Sequence, residues 1–151
     1  MLLNDLLYLV FITVLPWIEL RGSIPYGLFI LRLDALTVFI VCVLANILLV
    51  IPTFWFLDFA FPFFEKKAFV KKRLEKLHNK TKKIVEKYGF FGLMVFVAIP
   101  LPGTGAYSGA LAAKLLAMNR KAAFASIALG VLIAGIIVLL LSSIFGLFIP
   151  A

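Results

Sequence analysis

Pro100-Leu101-Pro102-Gly103-Thr104-Gly105 interrupts the run from Tyr88 to Ala113, which carries no charged side chain. Two prolines and two glycines in six positions remove backbone donors and helix propensity, so the run is predicted to form two apolar halves around a break. A second interruption, Glu19-Leu20-Arg21-Gly22-Ser23-Ile24-Pro25-Tyr26-Gly27, follows the uncharged stretch Leu6 to Ile18 and precedes a short apolar stretch that stops at Arg32 and Asp34. At about 1.5 Å per residue, Leu6 to Ile18 reaches about 20 Å, too little to cross ~30 Å of hydrocarbon. Each interrupted segment leads into a long uncharged run, Ala35 to Leu57 in the first case and Ala122 to Ala151 in the second. The order of apolar half, break, apolar half, polar residues and long helix thus occurs twice, a weak internal repeat.

The composition places this pattern in a membrane. The 151 residues are 64% hydrophobic, against ~45–50% for soluble domains. The net charge is +8, and Glu65 to Tyr88, with ten basic and three acidic residues, holds +7 of it. A single basic block between apolar runs orients a chain in a bilayer and is not the footprint of nucleic-acid binding. Cys42 has no intrachain partner, and the sequence holds no metal-ligand cluster. Asn4 and Asp5 stand where a signal peptide needs positive charge, so the first apolar segment is expected to stay.

Each interrupted segment reads either as one broken span or as a re-entrant hairpin. The basic block belongs on the cytoplasmic side. Two broken spans would place Lys114, Arg120 and Lys121 outside, whereas two hairpins place them beside the block. Hairpins therefore fit better. The expected fold is an all-α integral membrane protein, a single membrane domain over 1–151: repeat one (1–64), a basic cytoplasmic helix (65–87) and repeat two (88–151), each repeat a re-entrant hairpin plus a transmembrane helix and the second inverted. Val70, Leu74, Leu77, Ile84 and Tyr88 step by 4 and 3, which predicts an amphipathic helix on the inner leaflet, facing anionic lipid. Trp55, Phe56, Phe59, Phe61, Phe63 and Phe64 suit the interfacial belt.

Ionisable residues inside an apolar segment cost on the order of 2.5–3.5 kcal/mol each, so Glu19 and Arg21 need a partner or a watery cavity. At i and i+2 on a helix they diverge; an unwound stretch before Pro25 would turn both to one face. The second break offers the hydroxyls of Thr104, Tyr107 and Ser108 and the backbone N–H groups of Gly103 and Gly105. A half-helix starting after Gly105 would present an anion-binding N-terminus. Gly105, Gly109, Ala113 and Ala117, with Ala122, Ser126, Gly130 and Ala134, form two small-residue ladders expected to pack repeat two. Asn46 is expected to bond between helices, and Asp58 to lie at the interface.

The Glu19–Gly27 stretch, with Ile99-Pro100-Leu101-Pro102-Gly103-Thr104-Gly105-Ala106-Tyr107-Ser108-Gly109-Ala110, resembles the paired signatures of the small multidrug export protein family of bacteria and archaea. Lys87-Tyr88-Gly89 through Gly109-Ala110 is also similar to the larger DedA superfamily, whose members are thought to hold two opposed re-entrant hairpins and to move lipids or lipid carriers. Those proteins carry arginines around the second break; this chain has Ile99 and Gly105 there, which leaves Arg21 to supply positive charge. The resemblance implies a multi-pass protein of the cell (inner) membrane.

The expected function is a small secondary transporter or flippase for an amphipathic or lipid-linked anionic substrate. Arg21, Gly103 and Gly105 would bind the anion, and Glu19 would act as proton acceptor or counter-ion. Ser23, Pro25, Pro102, Thr104, Tyr107 and Ser108 complete the candidate set. The alternative is a non-transporting assembly factor that binds anionic lipid or a partner protein. No nucleophile and base pair points to an enzyme, His78 lies in the basic helix, no cofactor is implied, and a homodimer would help enclose a cavity.

Overall fold

The computed structural model describes residues 2–65, 88–101 and 103–148, and every regular element among them is helical. They are α1 (Leu2–Val14), α2 (Glu19–Phe29), α3 (Ala35–Glu65), α4 (Tyr88–Ala98), α5 (Ala106–Leu115) and α6 (Arg120–Phe148). The amphipathic helix expected over 65–87 lies, from residue 66 on, outside the described residues, as do His78 and Pro102.

Helices α3 and α6 each contain an apolar segment long enough to cross a membrane, Ala35–Pro62 (28 residues) and Arg120–Gly146 (27 residues). Both begin with a side-chain cap. The Asp34 carboxylate accepts the Thr37 N–H at 2.9 Å, and the Asn119 amide oxygen accepts the Lys121 N–H at 2.9 Å, each satisfying a donor that the first helical turn leaves free. Hydrogen bonds from the Thr37 hydroxyl and N–H hold the Asp34 carboxyl below the usual carboxylate range.

The short helices pair as hairpins. The Thr13 hydroxyl donates to Ser23 Oγ at 2.8 Å, the Tyr8 and Tyr26 rings lie 6.1 Å apart, and Gly27 packs on Leu9. Those contacts run α2 back along α1. On the other side, Gly109 of α5 packs on Val97 of α4, across the break. Pro16 ends the first arm because a proline there cannot donate to a helical carbonyl and disfavours helical backbone at Leu15.

The first break therefore falls at Leu15–Ile18, before Glu19, and not across Glu19–Gly27 as the sequence suggested. Those nine residues are helical, with Pro25 inside α2. Gly27 serves close packing: a Cβ there would come within 2.9 Å of both Val38 methyl carbons. Packing of α2 against α1, α3 and α6 overrides the weak helix propensity of Gly and Pro.

Between the long helices, Gly135 packs on Phe39 and Val43, while Asp58 pairs with Arg120 at 3.0 Å. A contact near the start of α3 matched by the later part of α6, and the reverse, means that the two run antiparallel. In the second half Ser126 Oγ donates to the Phe90 carbonyl at 2.6 Å, and Gly130 lies against the Met94 carbonyl, so α4 runs parallel to α6. The ladder residues Gly109, Ala113, Ser126, Gly130 and Ala134 are buried. Two ladder members do other work: Ala117 is exposed in the turn after α5, with φ of 49°, and Gly105 belongs to the charged site. Trp55, Phe56 and Phe59 are exposed on α3.

Candidate functional site

The tips of the two hairpins meet. Glu19, the first residue of α2, has φ of 48°, a left-handed conformation that costs a non-glycine residue about 1–2 kcal/mol. Its side chain reaches the N-terminus of α5. There its carboxylate accepts the backbone N–H groups of Ala106 (3.2 Å) and Tyr107 (3.4 Å). Only 4% of Glu19 is exposed. The anion site expected at this helix start is thus built, and the chain's own carboxylate occupies it. Gly105 makes the approach possible, because a Cβ there would overlap Glu19 Oε2. It is the N-cap of α5, and the half-helix begins at Ala106 as expected.

Arg21 completes the pair. Its Nη1 lies 3.1 Å from Glu19 Oε2, and its Nη2 donates to Thr104 Oγ1 at 2.9 Å, with the Val97 and Ile99 carbonyls each at 3.4 Å. Thr104 passes the interaction on by donating to the Ile99 carbonyl at 2.6 Å. The guanidinium therefore holds the end of α4 and the break after it, while the carboxylate holds the start of α5. Both charges reach one place although the motif is helical and not unwound. Arg21 Nε is buried without a hydrogen-bond partner.

Beside the pair lies an open cavity of about 470 Å³, lined by Pro16, Trp17, Glu19, Arg21, Gly103, Gly105, Tyr107 and Ser108. Six of the ten sequence candidates line it, and Thr104 touches it through Arg21. Two others do not: Ser23 is buried in a chain running from Thr13 to Cys42 (Ser23 Oγ to Cys42 Sγ, 3.2 Å), and Pro25 is inside α2. Pro102 is outside the described residues. The Tyr107 hydroxyl donates to the Val14 carbonyl, tying α5 to the end of α1, and Ser108 Oγ donates to the Gly105 carbonyl at 3.1 Å.

Sequence reasoning missed Pro16 and Trp17, although a proline followed by a lone tryptophan in an aliphatic run is a legible sign of an exposed turn. Trp17 is 95% exposed at the cavity. Asn46 departs from expectation. It is fully buried, yet neither amide atom has a hydrogen-bond partner, so it is not interhelical glue in this conformation. Asp58 does more than face the interface: it pairs with both Lys114 and Arg120, fixing the α5–α6 turn against α3. Among the described residues no group of acidic, His or Cys side chains could hold a metal ion.

Two helices of crossing length, and a buried charged pair where two short hairpins meet, suit a small membrane protein that is helical in every regular element among the described residues. Comparison with protein families agrees. The model of the family described as "Putative small multi-drug export protein" matches residues 19–137, and the chain belongs to that family. The matched region begins at Glu19 and takes in both components of the charged site and the second break. The family's description names export, a transport activity, and not catalysis. No curated protein and no solved structure matches the chain.

Proposed function

We infer that the chain is a small secondary transporter or flippase of the cell (inner) membrane that moves an amphipathic or lipid-linked anionic substrate, with Glu19 as proton acceptor. The observation that carries this reading is the Glu19–Arg21 pair at the α5 N-terminus, beside an open cavity between two hairpin tips. A charged pair at membrane depth is costly to insert. A packed break could be built from glycine alone, so the charges point to a substrate.

In this reading α3 and α6 cross the bilayer, and α1–α2 and α4–α5 are re-entrant hairpins of an inverted repeat. Support comes from the antiparallel packing of α3 on α6 and from the hairpin arms, which at 10 to 13 residues reach about 15–20 Å each. Inverted repeats bind substrate near the midplane, at the repeat interface, often at half-helix N-termini. Asp58 joins Lys114 and Arg120 to the end of α3 that leads into the +7 segment. Basic residues so gathered at one end favour that end as cytoplasmic.

The substrate's anionic head would use Arg21 and the Ala106 and Tyr107 N–H groups, while Trp17 and Pro16 offer an apolar wall to its tail. Glu19 must first release those donors, and taking up a proton is the simplest way to release them. The test is flipping of a fluorescent anionic lipid, or uptake of an anionic amphiphile, in proteoliposomes under an imposed pH gradient. Loss of transport in both Glu19→Gln and Arg21→Ala, with folding intact, is expected. Wild-type rates in both variants would remove the site from the mechanism.

One observation favours the assembly-factor reading: Glu19 spends its acceptors entirely within the chain. That reading predicts no protein-dependent flux of any anionic amphiphile, together with retained partner or lipid binding. Exchanging the two charges does not separate the readings, because an arginine at position 19 would face the positive end of α5 in either case.

A further inference from the structure

The unpartnered amide of Asn46 identifies a second place for Glu19. Helices α2 and α3 pair antiparallel, with Gly27 against Val38 and Ser23 bonded to Cys42. Each step of four along α2 matches a step of four back along α3. Continued by one more step, this ladder sets Glu19 opposite Asn46. Asn46 is wholly buried, with both Oδ1 and Nδ2 unbonded. A carboxamide so placed costs about 1–3 kcal/mol for each unmet group. Its opposite number on that ladder, Glu19, carries its carboxylate to α5 instead.

We propose that Glu19 is a mobile resident ligand with two berths, the α5 N-terminus and the Asn46 carboxamide, and that the substrate's anionic head takes the first when Glu19 moves to the second. The proposal rests on the transport reading above and names its exchange step. The two berths suit different forms of the side chain. At α5 the ionised carboxylate meets two N–H donors and Arg21. At Asn46 the protonated acid can donate to Oδ1 and accept from Nδ2, so both orphan atoms are met by two bonds. The move leaves Arg21 and two N–H groups open to a carboxylate or phosphate ester. The titratable or charged groups around Glu19 are Arg21 and Tyr107 at the site and Cys42 beside Ser23. Asp5, Asp58, Lys114, Arg120 and Lys121 lie toward the far ends of their helices.

The test uses the full chain in nanodiscs, in a Trp55→Phe background that leaves Trp17 as the cavity reporter. Dodecyl phosphate is titrated against wild type, Glu19→Ala, Asn46→Leu and the double variant at several pH values. Glu19→Ala should bind at least about tenfold more tightly than wild type and keep only the pH dependence of the phosphate monoester itself, whose second pKa is about 6, because the internal competitor is gone. Asn46→Leu should weaken binding at least about tenfold when Glu19 is present and change nothing when it is absent. Thermal melts check folding, and Asn46→Leu should melt higher than wild type because two orphan atoms are removed.

Equal effects of Asn46→Leu with and without Glu19, or none in either, overturn the second berth. If Glu19→Ala also fails to bind, the anion site is wrong, and the transport reading falls with it. Tighter binding of dodecyltrimethylammonium overturns the anionic class. Inorganic phosphate binding as tightly as the dodecyl ester overturns the amphiphile.

Discussion

A methyl group at Gly105 tests the site with the least change to the protein. Gly105 has φ of −82° and ψ of −160°, so alanine fits the backbone without strain, but its Cβ would overlap Glu19 Oε2, Cδ and Oε1. The carboxylate must leave and lose two N–H donors. A hydrogen bond to a charged group contributes about 1.5–3 kcal/mol, and at 3.2 and 3.4 Å the lower end applies, giving about 3 kcal/mol for the pair. Alanine is a poorer N-cap than glycine by about 1 kcal/mol, while the stiffer unfolded chain returns about 0.4–1 kcal/mol, so these terms nearly cancel.

Unfolding by SDS titration in mixed micelles measures the change, with two other glycines as controls. Gly92→Ala meets nothing within 4 Å inside α4 and should be neutral or stabilising by up to about 1 kcal/mol. Gly103→Ala also meets nothing, but its φ of 85° costs an alanine about 1–2 kcal/mol. The expected order of stability is Gly92→Ala, Gly103→Ala, Gly105→Ala. In a Glu19→Ala background the Gly105→Ala penalty should shrink below about 0.5 kcal/mol, because the atom it collides with is gone. A Gly105→Ala protein as stable as wild type, or one that keeps its full penalty without Glu19, refutes the placement of the carboxylate.

Other substitutions probe the rest of the molecule. Gly130→Val should destabilise by about 1–3 kcal/mol or more, since a Cβ there lies 2.7 Å from the Met94 carbonyl and from Val97 Cβ, and the backbone cannot rotate aside; the same SDS titration reads it. The Asp34 cap should show acid sensitivity. Its folded pKa is lowered, so its contribution to α3 is complete above the unfolded carboxylate range and is lost as pH falls through the folded value. The protection of the Thr37 amide, its exchange rate relative to the intrinsic rate at the same pH, should fall on acidification in wild type but not in Asp34→Asn, which keeps a capping oxygen. A cysteine in place of Asn119, in a Cys42→Ala background, should resist an impermeant maleimide on intact cells and react after permeabilisation. Labelling from outside would reverse the orientation drawn from Asp58 and the basic segment.

The long helices and the second break were legible in the sequence because both signals are local. An uncharged run as long as Ala35 to Leu57 has few alternatives in a membrane, and a Pro-Leu-Pro-Gly stretch cannot donate enough N–H groups to stay helical. The first break was misplaced by a few residues for the opposite reason. Gly22, Pro25 and Gly27 have poor helix propensity, but α2 is packed against three other helices, and Gly27 serves the approach of α1 and α3. Pro16, with no glycine beside it, ends the arm.

The sequence alone marked Glu19 and Arg21 as residues that an apolar segment carries only at a cost, marked Gly103, Gly105, Tyr107 and Ser108 as donors at the second break, and placed an anion-binding helix start after Gly105. It assigned the two breaks to one site, but it could not say that the Glu19 carboxylate itself lies against Gly105 and fills the anion position. That the anion at the α5 N-terminus is Glu19 depends on the missing Cβ at Gly105, whose role has no signature until the hairpin tips meet. The same holds for Asn46, whose polarity is plain in the sequence and whose lack of a partner appears only when the helices close around it.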